Sequence, residues 1–286
     1  MSLPGVRGQR PRRKNVMTDI TCLLRCPLCG GAFSKKDNSL VCGKRHCYDI
    51  ARQGYVNFVP GQKDMFYKKE LFEARAAVFA AGIYAPVVAR LSDVLSRYAP
   101  GENPVIVDAG CGEGYYTKAV CPERAMTRIG FDLSKDAVKL AARGEKTAAF
   151  FAADLKRIPL ADGCADAVLD IFTPADYSEF KRILKPDGVL IKLAPRSGYL
   201  KELREAAGDL LRRKEYDDGD VARYAEEKME ILHREAITYT MDVAPETAAH
   251  LARMTPMLAG IDVSLLDLSG VTRITIDENL YIGRIK

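Results

Sequence analysis

The chain has 286 residues, 48% of them hydrophobic and 28% charged, with a formal net charge of +5. That is enough apolar sequence to bury one large core and an accessory module. No run of 18 apolar residues occurs and the first sixteen residues are basic without an apolar stretch, which predicts no membrane-spanning helix, no secretory signal and a cytoplasmic location.

The charge is polarised. Arg7, Arg10, Arg12, Arg13 and Lys14 occur before Met17 with no acid among them, and between Cys22 and Lys63 seven Lys or Arg face only Asp37 and Asp49. Residues 1–21 read as a basic, disordered tail, and the front end as a whole suits a polyanion or a solvated arm.

Residues 22–60 read as a zinc-binding ribbon. Cys26-Pro-Leu-Cys29 and Cys42-Gly-Lys-Arg-His46 form two ligand pairs twelve residues apart, and a tetrahedral Zn2+ needs two such turns facing each other. Ala32-Phe33 and Leu40-Val41 look like short strands on either side of a polar turn. Four protein ligands close the coordination shell, so the metal is expected to be structural, contributing folding energy to a module too small for its own core. Cys22 or Cys47 remains an alternative to His46. The following segment, Tyr48 to Phe58, interleaves Tyr48, Tyr55 and Phe58 with Arg52, which suits base stacking and phosphate contact, although for any one of these rings a place in the ribbon's small core is the stronger expectation. Residues 61–69 read as a linker.

Residues 70–286 read as the catalytic domain. Apolar spacing predicts helices over Lys69–Ala81 and Ala85–Tyr98, broken at Gly82 and Pro86. Pro104 to Asp108 is a continuous apolar run of the kind a doubly buried parallel strand requires. It leads into Gly110-Cys111-Gly112-Glu113-Gly114-Tyr115-Tyr116-Thr117 and then a helix, the first half of a Rossmann-like unit. The loop is G-x-G-x-G with Asp108 and Glu113 beside it, where a pyrophosphate would be repelled. A phosphate-free sulfonium, S-adenosylmethionine, gains from such carboxylates.

Further strands end at Asp132-Leu133, expected to hold the ribose hydroxyls, and at Asp154-Leu155, expected near the adenine. A fourth strand runs from Ala167 to Phe172, a helix covers Phe180–Leu184, Lys185–Gly188 makes a turn, and Val189–Leu193 is a fifth strand. Helices over Lys201–Leu211, Val221–Leu232 and Pro245–Met254, a turn at Asp217–Asp220, a strand over Ile237–Val243 and a strand or hairpin over Thr272–Ile285 would complete a seven-stranded α/β sheet. Asp170 and Asp176, in and just past the fourth strand, are candidate general bases.

These residues resemble the bacterial 23S ribosomal RNA guanine-N1 methyltransferase family. The resemblance runs from the ribbon through nearly the whole chain, carried by the four ribbon ligands, Asp49 to Asn57, Ala74-Arg75, Gly82-Ile83-Tyr84, Asp108 to Thr117, Lys185 to Gly188 and Met254-Thr255-Pro256. It implies a Rossmann-like class I methyltransferase domain behind a zinc ribbon that recognises RNA, a homodimer, and cofactor contacts from Tyr84, Tyr116 and Thr117. Tyr199 stands where some members have histidine. Phe172-Thr173-Pro174 lacks the Asn/Asp-Pro-Pro-Tyr motif of exocyclic amine methylases. Two other expectations compete: a methyltransferase acting on a small molecule or protein, and a non-catalytic RNA-binding relative.

Overall fold

The computed structural model describes residues 16–61, 69–211 and 219–286. The basic tail before Val16, positions 62–68 of the expected linker and the Asp217–Asp218 pair of the expected turn lie outside them.

The front of the chain opens with α1 (Val16–Asp19) and a single 3-10 turn, Thr21–Leu23. Strands β1 (Phe33–Lys36), β2 (Ser39–Cys42) and β3 (Cys47–Asp49) then form an antiparallel sheet, with Phe33 opposite Cys42 and Val41 opposite Cys47. Alternation sets which side is buried: Phe33, Leu40, Cys42 and Tyr48 point inward while Ser34, Lys36, Cys47 and Asp49 face water. The next strand, β4 (Val56–Asn57), leaves this sheet and pairs in parallel with the main one, Val56 opposite Phe151.

Two helices precede the main sheet, α2 (Lys69–Ala80) and α3 (Ala85–Tyr98), meeting at a 79° bend. Gly82 sits at φ +75° in that bend, a left-handed conformation that glycine adopts without strain, and Pro86 occupies the first turn of α3, where its missing N–H costs nothing. The apolar stripe Val87, Leu91, Val94 and Leu95 of α3 is buried in the protein. No single helix among the described residues is long and apolar enough to cross a membrane.

The body continues through β5 (Val105–Ala109), α4 (Tyr115–Ala119), β6 (Thr127–Asp132), α5 (Lys135–Ala141), β7 (Ala148–Ala152), β8 (Ala165–Ile171), α6 (Tyr177–Ile183) and β9 (Leu184–Pro195). It closes with α7 (Lys201–Ala207), α8 (Gly219–Lys228), β10 (Met229–Asp242), α9 (Pro245–Met254) and β11 (Arg273–Ile285). The sheet order is β10-β11-β9-β8-β5-β6-β7-β4. All pairs from β9 to β4 are parallel, and β11 is antiparallel to both of its neighbours. From β5 the chain builds outward first through β6 and β7, then in the opposite direction through β8 and β9. The switch point between β5 and β8 is where open α/β sheets leave a crevice for ligands.

The fold is the class I methyltransferase architecture, with eight strands where seven were expected. The extra strand is β4, two residues long, which only its tertiary pairing identifies. The sheet faces are buried separately. Ile106, Leu169, Ile191, Ile276 and Leu280 pack under α2, α3, α7 and α9, whereas Val107, Phe131, Phe151, Val168 and Leu190 pack against the ribbon and α6.

Several segments differ from expectation: the helix expected over Lys201–Leu211 ends at Ala207 and tightens into a 3-10 turn, Gly208–Leu210, while Gly219 and Asp220 of the expected turn open α8. The turn at Lys185–Gly188 lies within β9 as a bulge with Lys185, Pro186 and Asp187 exposed and Gly188 buried: pairing jumps from Ala165 opposite Leu184 to Ala167 opposite Val189, which leaves four residues outside the ladder. The helix expected to reach Leu232 ends at Lys228, and β10 begins at Met229 opposite Ile285. The pair Ile231-Leu232 suits either conformation locally, and the thirteen-residue partner strand decides between them.

Candidate active site and metal centre

In the ribbon, the carbonyl of Cys26 accepts from the N–H groups of Cys29 (3.3 Å) and Gly30 (2.8 Å), and that of Cys42 accepts from Arg45 (2.8 Å). Each turn curls its two ligands to the same side. Cys26 Sγ lies 3.3 Å from His46 Nδ1, Cys42 Sγ 3.4 Å from the same nitrogen, and Cys29 Sγ 3.7 Å from Cys42 Sγ. Zinc–sulfur bonds of about 2.3 Å and zinc–nitrogen bonds of about 2.0 Å separate tetrahedral donors by roughly 3.4–3.8 Å. The donor set Cys26, Cys29, Cys42 and His46, mutually within 4.8 Å, therefore fits structural Zn2+. Cys22 and Cys47 are exposed and stand outside the cluster.

Tyr48, Tyr55 and Phe58 are not an RNA-stacking surface. All three are buried. Phe58 packs against Phe33, Tyr48 and Phe151 with ring centroids 5.8, 4.9 and 5.6 Å apart, so these rings join the ribbon to the main sheet. What the ribbon exposes is Lys36, Lys44, Arg45 and Arg52, together with Leu28 between the first two ligands.

At the tips of β5 and β6 the glycine loop turns through three left-handed residues, Gly110, Gly112 and Gly114, at φ +73°, +56° and +75°. Gly110 sits against the Thr173 side chain, and a Cβ on Gly114 would meet the Phe150 ring at 2.8 Å, so both positions exclude a larger residue. Asp132 Oδ2 accepts from the Gly112 N–H at 2.9 Å and its Oδ1 from Ser134 at 2.8 Å, which fixes the carboxylate beside the loop and leaves lone pairs for ribose hydroxyls. Thr117 Oγ1 donates to Asp108 Oδ2 at 2.5 Å. Burial raises the Asp108 pKa to about 7 against the lowering effect of the Thr117 hydrogen bonds, with Asp132 and Glu113 adding repulsion; burial also raises that of Asp132. Acids already short of solvent suit a cationic, phosphate-free ligand and oppose a pyrophosphate. The site fits S-adenosylmethionine.

Other expected residues divide by location. Cys111 is buried in the loop, and Leu133 is 44% exposed beside Asp132, offering an apolar edge to a purine. Leu155 is half-buried after β7, and Asp154 accepts from Lys156 N at 2.9 Å, capping a 3-10 turn. Tyr115 stacks on Phe79 at 3.9 Å. Glu113 does not act as a free carboxylate: Arg75 Nε meets both of its oxygens, at 3.0 and 2.9 Å. The two candidate bases are employed otherwise. Asp176 caps α6 through Glu179 N and accepts from Ser178 Oγ, bonds that hold its pKa below the usual carboxylate range. Asp170 lies fully buried in an ion pair, 2.7 Å from Lys192 Nζ, on the ribbon side of the sheet.

Of a polar cluster on the α3 side, sequence reasoning named Tyr84, Tyr116 and Tyr199 and missed Tyr239 and Glu278. Tyr84 and Tyr199 share a hydroxyl–hydroxyl hydrogen bond of 2.5 Å, and Tyr239 donates to the carbonyl of Ile83. Burial raises the pKa of Tyr84, Tyr116, Tyr199 and Tyr239 alike. Among the described residues the Tyr116 hydroxyl and both Glu278 oxygens have no hydrogen-bond partner, and burial lifts the Glu278 pKa well above the carboxylate range. The signal was visible: Glu278 interrupts the apolar alternation Ile274, Ile276, Leu280, Ile282. Nearby, at the tip of β8, Phe172 has φ +56° and is 40% exposed, its ring 6.5 Å from that of Tyr84 and 5.6 Å from that of Tyr199.

Comparison with known proteins follows the same two-part layout. A zinc-ribbon family model described as "RlmA, N-terminal" matches residues 24–65, and one described as "Methyltransferase domain" matches residues 107–192. A Bacillus subtilis (strain 168) protein, YxjB, named provisionally as a 23S rRNA (guanine-N(1)-)-methyltransferase, is 35% identical over 275 residues, 91% of this chain and 96% of that protein. The 23S rRNA (guanine(748)-N(1))-methyltransferase of Streptomyces fradiae is 32% identical over 281 residues, 95% of this chain and 99% of that protein.

Proposed function

Because the chain belongs to the family of 23S rRNA (guanine-N(1)-)-methyltransferases, we propose that it transfers a methyl group from S-adenosylmethionine to N1 of a guanine in 23S ribosomal RNA. The observation that carries this reading is end-to-end similarity to such enzymes, ribbon and catalytic domain together, in a chain that keeps both the Cys3His cluster and the acid-flanked glycine loop.

Each residue group then has a task. Gly110, Gly112 and Gly114 let the backbone approach the cofactor, Asp132 holds its ribose, and Leu133, Asp154 and Leu155 flank its adenine. Tyr84, Tyr116, Thr117 and Tyr199 close the methionyl side, and Cys111, Glu113 and Tyr115 shape the loop. The bound cofactor supplies an electrophilic methyl carbon. The protein supplies alignment, which accounts for most of the rate in an in-line displacement. Guanine N1 lies on the pairing edge, so the base must be unpaired or extruded, and with Asp170 and Asp176 otherwise bonded its proton leaves to water at the open strand tips.

The zinc ribbon, residues 22–60, positions the RNA through exposed Lys36, Lys44, Arg45 and Arg52, and binding weakens steeply with salt. Residues 70–286 carry the chemistry. The enzyme acts as a homodimer in the cytoplasm, where its substrate is made. Incubation with labelled S-adenosylmethionine and hypomethylated 23S rRNA, followed by primer extension, tests the proposal. A methylation-dependent stop opposite one guanine supports it, and label incorporation without any stop refutes N1 as the target.

A further inference from the structure

We propose that Phe172 is the ring against which the extruded guanine stacks, making it a substrate-contact residue that presents N1 to the methyl donor. The inference rests on the guanine reading above and adds the residue that holds the base.

Sheet order supplies the first argument. The glycine loop and the residues suited to the cofactor's ribose and adenine follow β5, β6 and β7, on one side of the switch point, Tyr199 alone reaching the methionyl end from beyond β9, which leaves the tips of β8 and β9 for the acceptor's approach. Phe172 is the first residue beyond β8, and its own N–H donates to the Leu193 carbonyl of β9 at 3.1 Å. Its backbone is thus anchored across those two tips, beside Thr173, whose side chain touches Gly110 of the cofactor loop.

Exposure and conformation supply the second. Ile171, one residue earlier, is 7% exposed, whereas the Phe172 ring is left 40% exposed. Its φ of +56° is a region that bulky side chains rarely enter, and glycine or asparagine would hold the turn with less strain. A partly exposed aromatic at a strained turn is a costly choice for the fold alone, and such strain concentrates where a ligand is held. The neighbouring rings of Tyr199 and Tyr84 form the wall beside it. Flipped bases are held between aromatic or apolar side chains, and every base has a π-face to offer.

Phe172→Ala, Phe172→Gly and Phe172→Tyr distinguish this role from a structural one. Methylation of the RNA hairpin by the Ala and Gly variants should lose roughly tenfold or more in kcat/KM, within the range for a lost base–aromatic stack, while the Tyr variant stays within a few-fold of wild type. S-adenosylhomocysteine affinity, measured by calorimetry, should change less than twofold in all three. Phe172→Gly should melt no lower than Phe172→Ala, because it relieves the left-handed φ that alanine keeps. With 2-aminopurine replacing the guanine mapped by primer extension, wild-type protein should quench the extruded base and Phe172→Ala should leave it bright. Unchanged kcat/KM and quenching in Phe172→Ala, with wild type active, would overturn this inference alone. A wild-type protein that methylates no RNA would overturn the substrate reading and this inference with it.

Discussion

Phe58→Ala probes whether the ribbon is an appendage or part of the main core. Phe58 is 5% exposed and touches Phe33 and Tyr48 of the ribbon on one side and Phe151 of β7 on the other. A buried phenylalanine removes about 200 Å2 of surface from water, which at ~25 cal/mol per Å2 is about 5 kcal/mol. Compactness of the unfolded chain reduces this by 10–40%, to roughly 3–4 kcal/mol, in line with the ~3–5 kcal/mol usual for Phe→Ala in cores. The assay is urea unfolding of the zinc-loaded protein, followed by circular dichroism and, since the chain has no tryptophan, by tyrosine fluorescence. Wild type should unfold in one transition seen by both probes, and the variant should lose about 3–4 kcal/mol with an unchanged slope. A loss under about 1 kcal/mol, or a separate early ribbon transition that leaves the main one in place, would refute the shared core.

Zinc removal by a chelator should unfold the ribbon, because such metal binding is itself folding free energy. It should also lower the melting temperature of the body by uncovering Phe151, and Cys29→Ser should reproduce both effects with loss of the bound metal. Asp132→Ala should weaken S-adenosylhomocysteine binding by roughly ten- to a hundredfold, the loss expected when charge-assisted hydrogen bonds disappear; calorimetry showing wild-type affinity would remove Asp132 from the cofactor site. Asp108 yields a pH prediction. Burial raises its pKa from the ordinary 3.8 to about 7, so the folded state holds the proton more tightly than the unfolded one. Its stabilisation is complete below pH ~4 and is lost as pH rises through ~7. At about 1.4 kcal/mol per tenfold change in proton affinity the loss is at most roughly 4 kcal/mol. Asp108→Asn should flatten the stability–pH curve over that window, and an unchanged slope would contradict the assignment.

The ribbon ligands and the cofactor loop were legible because their chemistry is local: two short turns present four donors, and one continuous apolar run ends in glycines that only a left-handed backbone explains. Other features depend on partners distant in sequence. Val56-Asn57 becomes a strand only because Phe151-Ala152 lies beside it. Asp170 looked like an acid near the chemistry until register placed Lys192 opposite it on the buried face. Tyr48, Tyr55 and Phe58 have the composition of a stacking surface and of a small core alike, and burial alone separates the two. The pairing of Glu113 with Arg75 is invisible in the sequence because the two stand 38 residues apart. Glu278 breaks a period-two apolar alternation, but only the fold brings Tyr84, Tyr116 and Tyr199 to it from distant elements.

The proposed function turns on which atom receives the methyl group. Hypomethylated 23S rRNA treated with the protein and S-adenosylmethionine can be digested to nucleosides and analysed by chromatography and mass spectrometry against authentic standards. Digestion should yield N1-methylguanosine, close to one per molecule of RNA at completion, and at limiting S-adenosylmethionine Asp132→Ala should form it roughly ten- to a hundredfold more slowly. Methyl label on N2 of guanine, on another base, or on protein alone would contradict it.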